Sequence, residues 1–458
     1  MGWCAFAEND ILIKQQNKTI MKKDEYFLCG VAMMILCGCS NDISSDIDNS
    51  IDNKTFVSSY NTNIRSYSEA FAIAKNSIAI LDNSKSRTRG IVRKVRTVNE
   101  NDYIVICSKE SQTRSFGKSQ TDNDTLLYVF NFNDNEGFAV VSASKNTEGL
   151  LAVTERGHYS DEKDTENPGF DIFMDLAEKY VRYSGPGLNP QPPIGFVDMK
   201  DSVHIEENYI GPYITVRWGQ NSPEGDYCPN YTAGCAPTAI AQTMTYFQYP
   251  DSLYLSYMGN DAYSQSINWI DVKKHISIHQ YGEGEPCEAS SDSHNTISKL
   301  CRQIGHLANS YYGYIGETTT TRPGVITALQ NIGYTTSIWV PYSLTPIEQK
   351  IEEGKLLLIS GAEIGQTVGH TWVLDGIYTY TKEVFFWIRN GLEVEWTLTD
   401  HTITTTRYHH YNWGKNGSNN GYFYSGVFNI GGVQIPDTEN NGGTSNYNYD
   451  VQCLCVYL

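Results

Sequence analysis

The chain has 458 residues, room for two or three domains at about 150 residues each. It carries 34 Lys and Arg against 52 Asp and Glu, a formal net charge of −18. So acidic a protein has no broad electrostatic attraction for nucleic acid or anionic membrane, and no nucleic-acid partner is expected. With 32 Tyr, and a Tyr/Asn/Gly-rich character after about residue 205, it suits β-structure with solvent-facing loops and an extracellular setting.

Residues 1–20 read as neither signal nor domain, and Met21 is the expected start. The stretch "MKKDEYFLCGVAMMILCGCS" (21–40) opens with Lys22 and Lys23, then runs apolar from Tyr26 to Cys37. That run is too short to span a membrane. Leu36-Cys37-Gly38-Cys39 resembles a bacterial lipobox, so 21–39 is expected to be a lipoprotein signal with Cys39 lipidated. A plain secretory signal is the alternative. The acidic, Ser/Asn-rich 40–63 follows as a solvated tether. Export permits disulfides. Of eleven Cys, four (Cys4, Cys29, Cys37, Cys39) belong to the leader region, leaving Cys107, Cys228, Cys235, Cys287, Cys301, Cys453 and Cys455. An odd number leaves one thiol unpaired. With no CxxC pair, no metal site is expected.

Residues 64–82 place Ala70, Phe71, Ala74, Ile78 and Leu81 at helical spacing, with Ser68 as N-cap. "DYIVIC" reads as a strand, and 125–160 as hairpin strands joined by the turn "NDNEG". Residues 169–184 read as an amphipathic helix. "GPGLNPQPPIG" (185–195) has linker composition. The expected division is a smaller α+β domain over 64–184, a linker over 185–210 and a second domain over 211–458. In the latter, helices at 295–313 and 321–334 precede strands from about 355, an α+β pattern.

"TAGCAPTAIAQTMTYFQYP" (232–250) sets Cys235 where a helix begins. Gly234 allows a tight entry, Pro237 suits the first turn, and Ala236, Ile240, Met244 and Phe247 form a buried stripe. A thiol there faces unpaired N–H groups and the positive end of the helix dipole, both of which favour thiolate. The bland alternative is a buried Cys packing as a small apolar residue. Three further stretches argue against it. "VGHTWVLDGIY" (368–378) puts His370 about 135 residues downstream, the separation at which papain-like enzymes carry their His. "YNWGKNGSNNGYF" (411–423) offers Asn412 and Trp413 to orient an imidazole. "VRWGQNSPEGDYCP" (216–229) offers Gln220 to a developing oxyanion.

Together these stretches resemble the streptopain-like family of papain-fold cysteine peptidases. The family pattern Gly-Cys-x-x-Thr-Ala-x-Ala-Gln-x-Met-x-Tyr is met by Gly234, Cys235, Thr238, Ala239, Ala241, Gln242, Met244 and Tyr246, with Tyr249-Pro250 after. Gly369, His370, Val373, Asp375 and Gly376 meet the His motif, Asn412-Trp413-Gly414 the Asn motif, and Trp218 with Gln220 the Trp-x-Gln step. The hairpin region, with Gly137-Phe138, Val140-Val141-Ser142 and Gly157, resembles the family's inhibitory propeptide. Two features depart from the pattern: Lys415 stands where a second Trp is usual, and 380–407 looks like an inserted β-hairpin.

The resemblance implies an α+β papain-like fold behind an inhibitory propeptide, and an endopeptidase made as a zymogen that needs no cofactor. Cys235 is then the nucleophile and His370 its base, poised as an ion pair. Gln220 and the Cys235 N–H hold the oxyanion, and Asn412 and Trp413 hold the imidazole. His409 and His410 lack the Gly-His context. Protein or peptide substrates, the chain's own propeptide as inhibitor, a membrane held through the lipid anchor, a monomeric state and a bacterial cell-envelope location, at the outer membrane or surface with release after processing, complete the expectation. Activation cleavage is expected in the linker. An idle surface-binding lipoprotein, adhesin or inhibitor, on the same fold is the competing reading; a Cys-dependent amidase or transglutaminase-like acyl transferase is a third.

Overall fold

The computed structural model describes residues 63–85, 96–108, 125–160, 167–184, 198–276, 289–314, 316–363, 369–389, 395–428 and 449–458. The leader with Cys39, most of the tether, residues 185–197 and Cys287 lie outside the described residues.

The N-terminal lobe is a four-stranded sheet between two helices. Helix α1 (Tyr67–Lys85) begins one residue before the expected cap. Ser66 and Glu69 form a capping box: the Ser66 N–H donates to the Glu69 carboxylate at 2.7 Å, and the Glu69 N–H to the Ser66 hydroxyl at 3.4 Å. Ser68 therefore lies inside the helix. Strands β1 (Val98–Cys107), β2 (Thr125–Phe132), β3 (Phe138–Ser142) and β4 (Leu150–Thr154) pair antiparallel in chain order. Both faces are covered, which explains near-continuous apolar runs in place of strict alternation. Phe130, Phe132, Val141 and Val153 bury against Ala70, Ala74 and Leu81 of α1. Leu127, Val129, Phe138 and Ala152 bury on the other side, against α2 (Pro168–Tyr183).

The expected linker is only partly a linker. Residues 198–210 form β5 (Asp198–Ile210), paired along its length with a later strand. This part of the sheet is exposed on both faces, so its strand carries many charged residues, and Val203 and Ile205 are themselves half-exposed.

The second lobe follows. Helices α3 (Cys235–Phe247), α4 (Trp269–Val272), α5 (Ser291–Leu307) and α6 (Arg322–Ile332) share a core with Val216, Trp218, Leu358 and Val373. Between them lie short strand pairs, β6 (Ser252–Tyr254) with β7 (Ser264–Ser266) and β8 (Tyr311–Tyr312) with β9 (Thr318–Thr319). Then come β10 (Thr335–Thr336), β11 (Val340–Pro341) and α7 (Leu344–Glu352). The long strands are β12 (Leu356–Glu363), β13 (Gly369–Arg389), β14 (Thr397–Asn412), β15 (Gly421–Tyr424) and β16 (Tyr449–Tyr457). The outer parts of β13 and β14 form the expected inserted hairpin, and β5 adds a third strand to it.

One sheet runs through both lobes, in the order β1-β2-β3-β4-β15-β14-β13-β12-β16-β10. The lobes join where β4 pairs β15, with Ala152 opposite Phe423 and Val153 opposite Tyr422. Helix α2 seals the junction. Its Phe173 ring lies 4.8 Å from Phe423 and 5.9 Å from Phe428, and Phe170 lies 5.5 Å from Phe138. α2 therefore shares one apolar core with both lobes. Among the described residues, Cys228, Cys235, Cys301, Cys453 and Cys455 are free thiols.

Candidate active site

Cys235 opens α3, and Gly234 is the reason it can. Gly234 has φ 90°, and a Cβ there would lie 2.7 Å from Thr318 Cγ2. One turn on, the buried Thr238 hydroxyl lies 3.0 Å from the Gly219 carbonyl and 2.9 Å from that of Gly234. The Ala233 N–H donates to the Gln220 carbonyl at 2.7 Å, and the Trp218 indole to the His275 carbonyl at 2.7 Å. The segment Trp218–Gln220 is thereby fastened beside the start of α3, bringing Gln220 to the mouth of the Cys235 turn. Beneath it, the Gly219 N–H reaches the fully buried Glu224 carboxylate at 3.3 Å, which also meets His275 at 3.3 Å.

Asn412 has a different task from the one expected. Its Nδ2 donates to the Val216 carbonyl at 2.8 Å. Its Oδ1 accepts from Gln242 Nε2 at 3.2 Å and from the Gly414 N–H at 3.3 Å. Gln242 also donates to the Trp218 carbonyl at 3.2 Å. Asn412 and Gln242 thus form a buried amide bridge between β14, α3 and the Gln220 segment, and Asn412 has no hydrogen bond to His370. Gln242 was visible in the sequence as a polar residue inside a helix whose neighbours are all apolar or small.

His370 is the second residue of β13 and is 3 % exposed. Its Nε2–H donates to the Trp413 carbonyl at 2.8 Å, and its ring stacks on Trp372. Trp413 is fully buried, with its indole N–H donating to the Asn419 carbonyl and its backbone N–H to Asn420 Oδ1, each at 2.9 Å. Gly169 of α2 covers this pair. A Cβ on Gly169 would come within 2.6 Å of the Trp413 ring and 2.7 Å of His370 Cδ2. Burial pushes His370 down to about 4, against the pull of the Trp413 carbonyl and with help from Lys415, so the ring is neutral at pH 7. Burial pushes the half-buried Cys235 thiol up, while the Thr371 and Ala236 N–H groups and Lys415 pull the other way. No hydrogen bond joins Cys235 to His370. The expected ion pair is therefore absent in this state: with α2 seated, the imidazole is held to a backbone carbonyl and the thiol keeps its proton.

A second tie crosses the same junction. His410 Nδ1 lies 2.6 Å from Asp375 Oδ1, and its Nε2 lies 3.8 Å from Glu155 Oε1, just past β4. Glu155 Oε2 meets Arg217 at 3.3 Å, and Asp375 Oδ2 accepts the Ile214 N–H at 2.8 Å. Burial opposes charge on His410, but Asp375 and Glu155 outweigh it and push the group up to about 9. His409 sits elsewhere, 2.5 Å from the Tyr342 hydroxyl. Each of these histidines is thus tied to partners other than Cys235.

Residues 218–423 match the Peptidase C10 family, and residues 65–181 match the Spi protease inhibitor. The chain belongs to the streptopain-like peptidase family. It is a cysteine peptidase made with an inhibitory propeptide, in the α+β arrangement expected. Streptopain of Streptococcus pyogenes is 22% identical over 332 residues, 65% of this chain and 73% of its own. The thiol protease/hemagglutinin PrtT of Porphyromonas gingivalis is 21% identical over 347 residues, 69% of this chain and 36% of that protein. A solved fragment of Prevotella intermedia prointerpain A aligns with 19% identity and a TM-score of 0.43, over 74% of this chain and 96% of that one.

In this streptopain-like peptidase the propeptide-type lobe thus lays Gly169 directly against the imidazole. Its signal in the sequence is Asn167-Pro168-Gly169 at a helix start: Asn167 caps α2, Pro168 suits its first turn, and Gly169 is a weak helix former with no local reason to be there.

Replacing Gly169 by Val drives a side chain into Trp413 and His370, an overpacking worth about 1–3 kcal/mol. Gly169→Val is expected to lose its N-terminal lobe to self-processing at least about tenfold faster than wild type, followed as disappearance of full-length chain on gels; an unchanged rate contradicts the contact.

The two histidines give opposite pH slopes. Between about 4 and an unfolded value near 6.5, the folded chain binds fewer protons at His370, so stability rises with pH. Between 6.5 and about 9 it binds more at His410, so that contribution is intact below 6.5 and lost as pH rises through 9. Thermal unfolding of a Cys235→Ala chain is expected to show a falling midpoint from pH 6.5 to 9.5. The fall is expected to be shallower in the Glu155→Gln variant, which removes one of the two carboxylates.

Proposed function

We propose that this chain is a surface-anchored or secreted endopeptidase that hydrolyses peptide bonds with Cys235 and His370, and that its N-terminal lobe keeps it latent until removed. The observation that carries this reading is the seating of α2 on the imidazole of a Gly-His strand whose next residue, Thr371, offers its N–H to the Cys235 thiol. An element that covers a histidine beside a helix-opening cysteine has a purpose only if the two react.

When α2 withdraws, water returns to His370 and its affinity for a proton rises, so its Nδ1 takes the Cys235 proton while Nε2–H stays on the Trp413 carbonyl, giving the ion pair. The thiolate attacks a peptide carbonyl. The Gln220 amide and the Cys235 N–H receive the developing oxyanion. His370 then protonates the leaving amine, and water resolves the acyl-enzyme. Trp413 shields the imidazole, while Asn412 holds the Trp218–Gln220 segment in place. No cofactor enters these steps.

The activating cut is placed in 185–197. A cut later than that would divide β5, whose residues pair with β13 from Asp198 to Ile210. β5 is then expected to stay with the mature enzyme. The lipobox-like 21–39 supports an envelope location with Cys39 lipidated, and the acidic tether supports a catalytic part held away from the membrane as a monomer, at the outer membrane or surface and released after processing. The idle binding-lipoprotein reading would be favoured by loss of Cys235 or His370, and the chain carries both.

Incubating residues 40–458 as wild type and as Cys235→Ala under reducing conditions separates these readings. Wild type is expected to lose about its first 150 residues and then to cleave casein, while Cys235→Ala stays full length and inactive. If wild type stays full length, and Cys235 is unlabelled by an epoxysuccinyl inhibitor after an added protease cuts the linker, the dyad is idle.

A further inference from the structure

Lys415 stands where the family pattern has a second Trp, and the residues on either side of it are fixed by tertiary contacts. Two residues before it, the Trp413 carbonyl holds His370. One residue before it, Gly414 lies against Thr238 in the first turns of the Cys235 helix, 3.4 Å from the position of an added Cβ. One residue after it, the Asn416 N–H donates to the Trp218 carbonyl at 3.4 Å, and the Asn416 carboxamide covers Gly219. Residue 415 is thus bracketed by the nucleophile's helix, the imidazole's partner and the oxyanion segment.

The side chain is half-buried, and its ammonium weakens proton binding at both the Cys235 thiol and the His370 ring. Among the described residues, no carboxylate lies within ion-pair distance of it. In a chain of net charge −18, that leaves an uncompensated cation close enough to act on both groups. The imidazole delivers its proton to the leaving amine, so it lies on the leaving-group side of the scissile bond. The segment 413–416 carries the imidazole's partner and lines that same side.

We propose that Lys415 selects substrates with a carboxylate on the leaving-group side of the scissile bond, namely an Asp or Glu side chain on the residue whose amine departs. This rests on the dyad reading above. The same ammonium would accept the carboxylate of a substrate's C-terminal end, so the two sources are separated in the test. A flexible lysine stem reaches either without the fixed fork of an arginine.

Internally quenched peptides with Glu or Gln at that residue, each ending in a carboxamide, are compared with a Gln peptide ending there in a free carboxylate. The enzyme is the full chain after processing, as wild type, Lys415→Gln and Lys415→Glu, with active sites titrated by the epoxysuccinyl inhibitor. Wild type is expected to prefer Glu over Gln by about tenfold in kcat/KM, about 1.4 kcal/mol. The ratio is expected to fall to about one in Lys415→Gln, drop below one in Lys415→Glu, and shrink in wild type at high salt. A Glu-to-Gln ratio unchanged by both substitutions, with Cys235 still labelled, overturns the assignment alone. A ratio that responds only for the free-carboxylate peptide overturns the side-chain choice in favour of the chain end. Unlabelled Cys235 with no hydrolysis overturns the dyad reading and this assignment with it.

Discussion

The hydrogen atom that serves as the side chain of Gly169 sets how closely α2 approaches Trp413 and His370, and the latent state follows from that approach. With the helix start packed on the imidazole, the ring loses water, gives up positive charge and finds its one strong partner in the Trp413 carbonyl at 2.8 Å. No hydrogen bond joins the Cys235 thiol to that ring. Its helix-terminal position still offers N–H groups to a thiolate, but burial outweighs them. Closure of this kind needs no movement of the Trp218–Gln220 segment. It needs only that the imidazole stay buried, where its affinity for a proton is low.

Such a contact is local, yet it is held by long-range structure. The propeptide-type lobe adds its sheet to the edge of β15, and α2 fills the seam with Phe170 and Phe173. The Asp375–His410–Glu155–Arg217 chain adds alternating charges across the same seam, buried enough for the pairing to matter. Backbone pairing, aromatic packing and buried charge thus act on one junction. A cut in the following linker breaks none of them by itself, but it frees the lobe to dissociate. β5, on the far side of that linker, is tied to β13 and stays behind.

Much of this was legible in the sequence, for physical reasons that differ from place to place. The Cys235 helix was readable because its glycine entry, first-turn proline and apolar stripe all lie within residues 234–247. The paired strands of 125–154 were readable because a Gly-containing turn and β-branched runs are local signals. Strand β5 was not, because it lies on an open part of the sheet and its charges imitate a linker. Ser66 displaced Ser68 as the cap because Glu69 lies three residues after Ser66. Asn412 was assigned to the imidazole by its neighbour Trp413, although its amide faces Gln242 from a helix 170 residues away. The closed state of the dyad lay beyond local reading altogether, since it depends on a glycine about 200 residues before His370 arriving through tertiary packing.

The pH dependence of Cys235 alkylation tests the central claim most directly. A wild-type chain isolated with its thiols capped as mixed disulfides is uncapped with reductant and pulsed at once with iodoacetamide, and the Cys235 peptide is read by mass spectrometry. The processed enzyme is treated in the same way. With the imidazole buried under α2, the intact chain is expected to react only as its thiol ionises in the alkaline range, while the processed enzyme is expected to react at neutral and mildly acidic pH through the ion pair. An intact chain that alkylates at neutral pH as fast as the processed enzyme would show the dyad already formed, and latency would then have another cause.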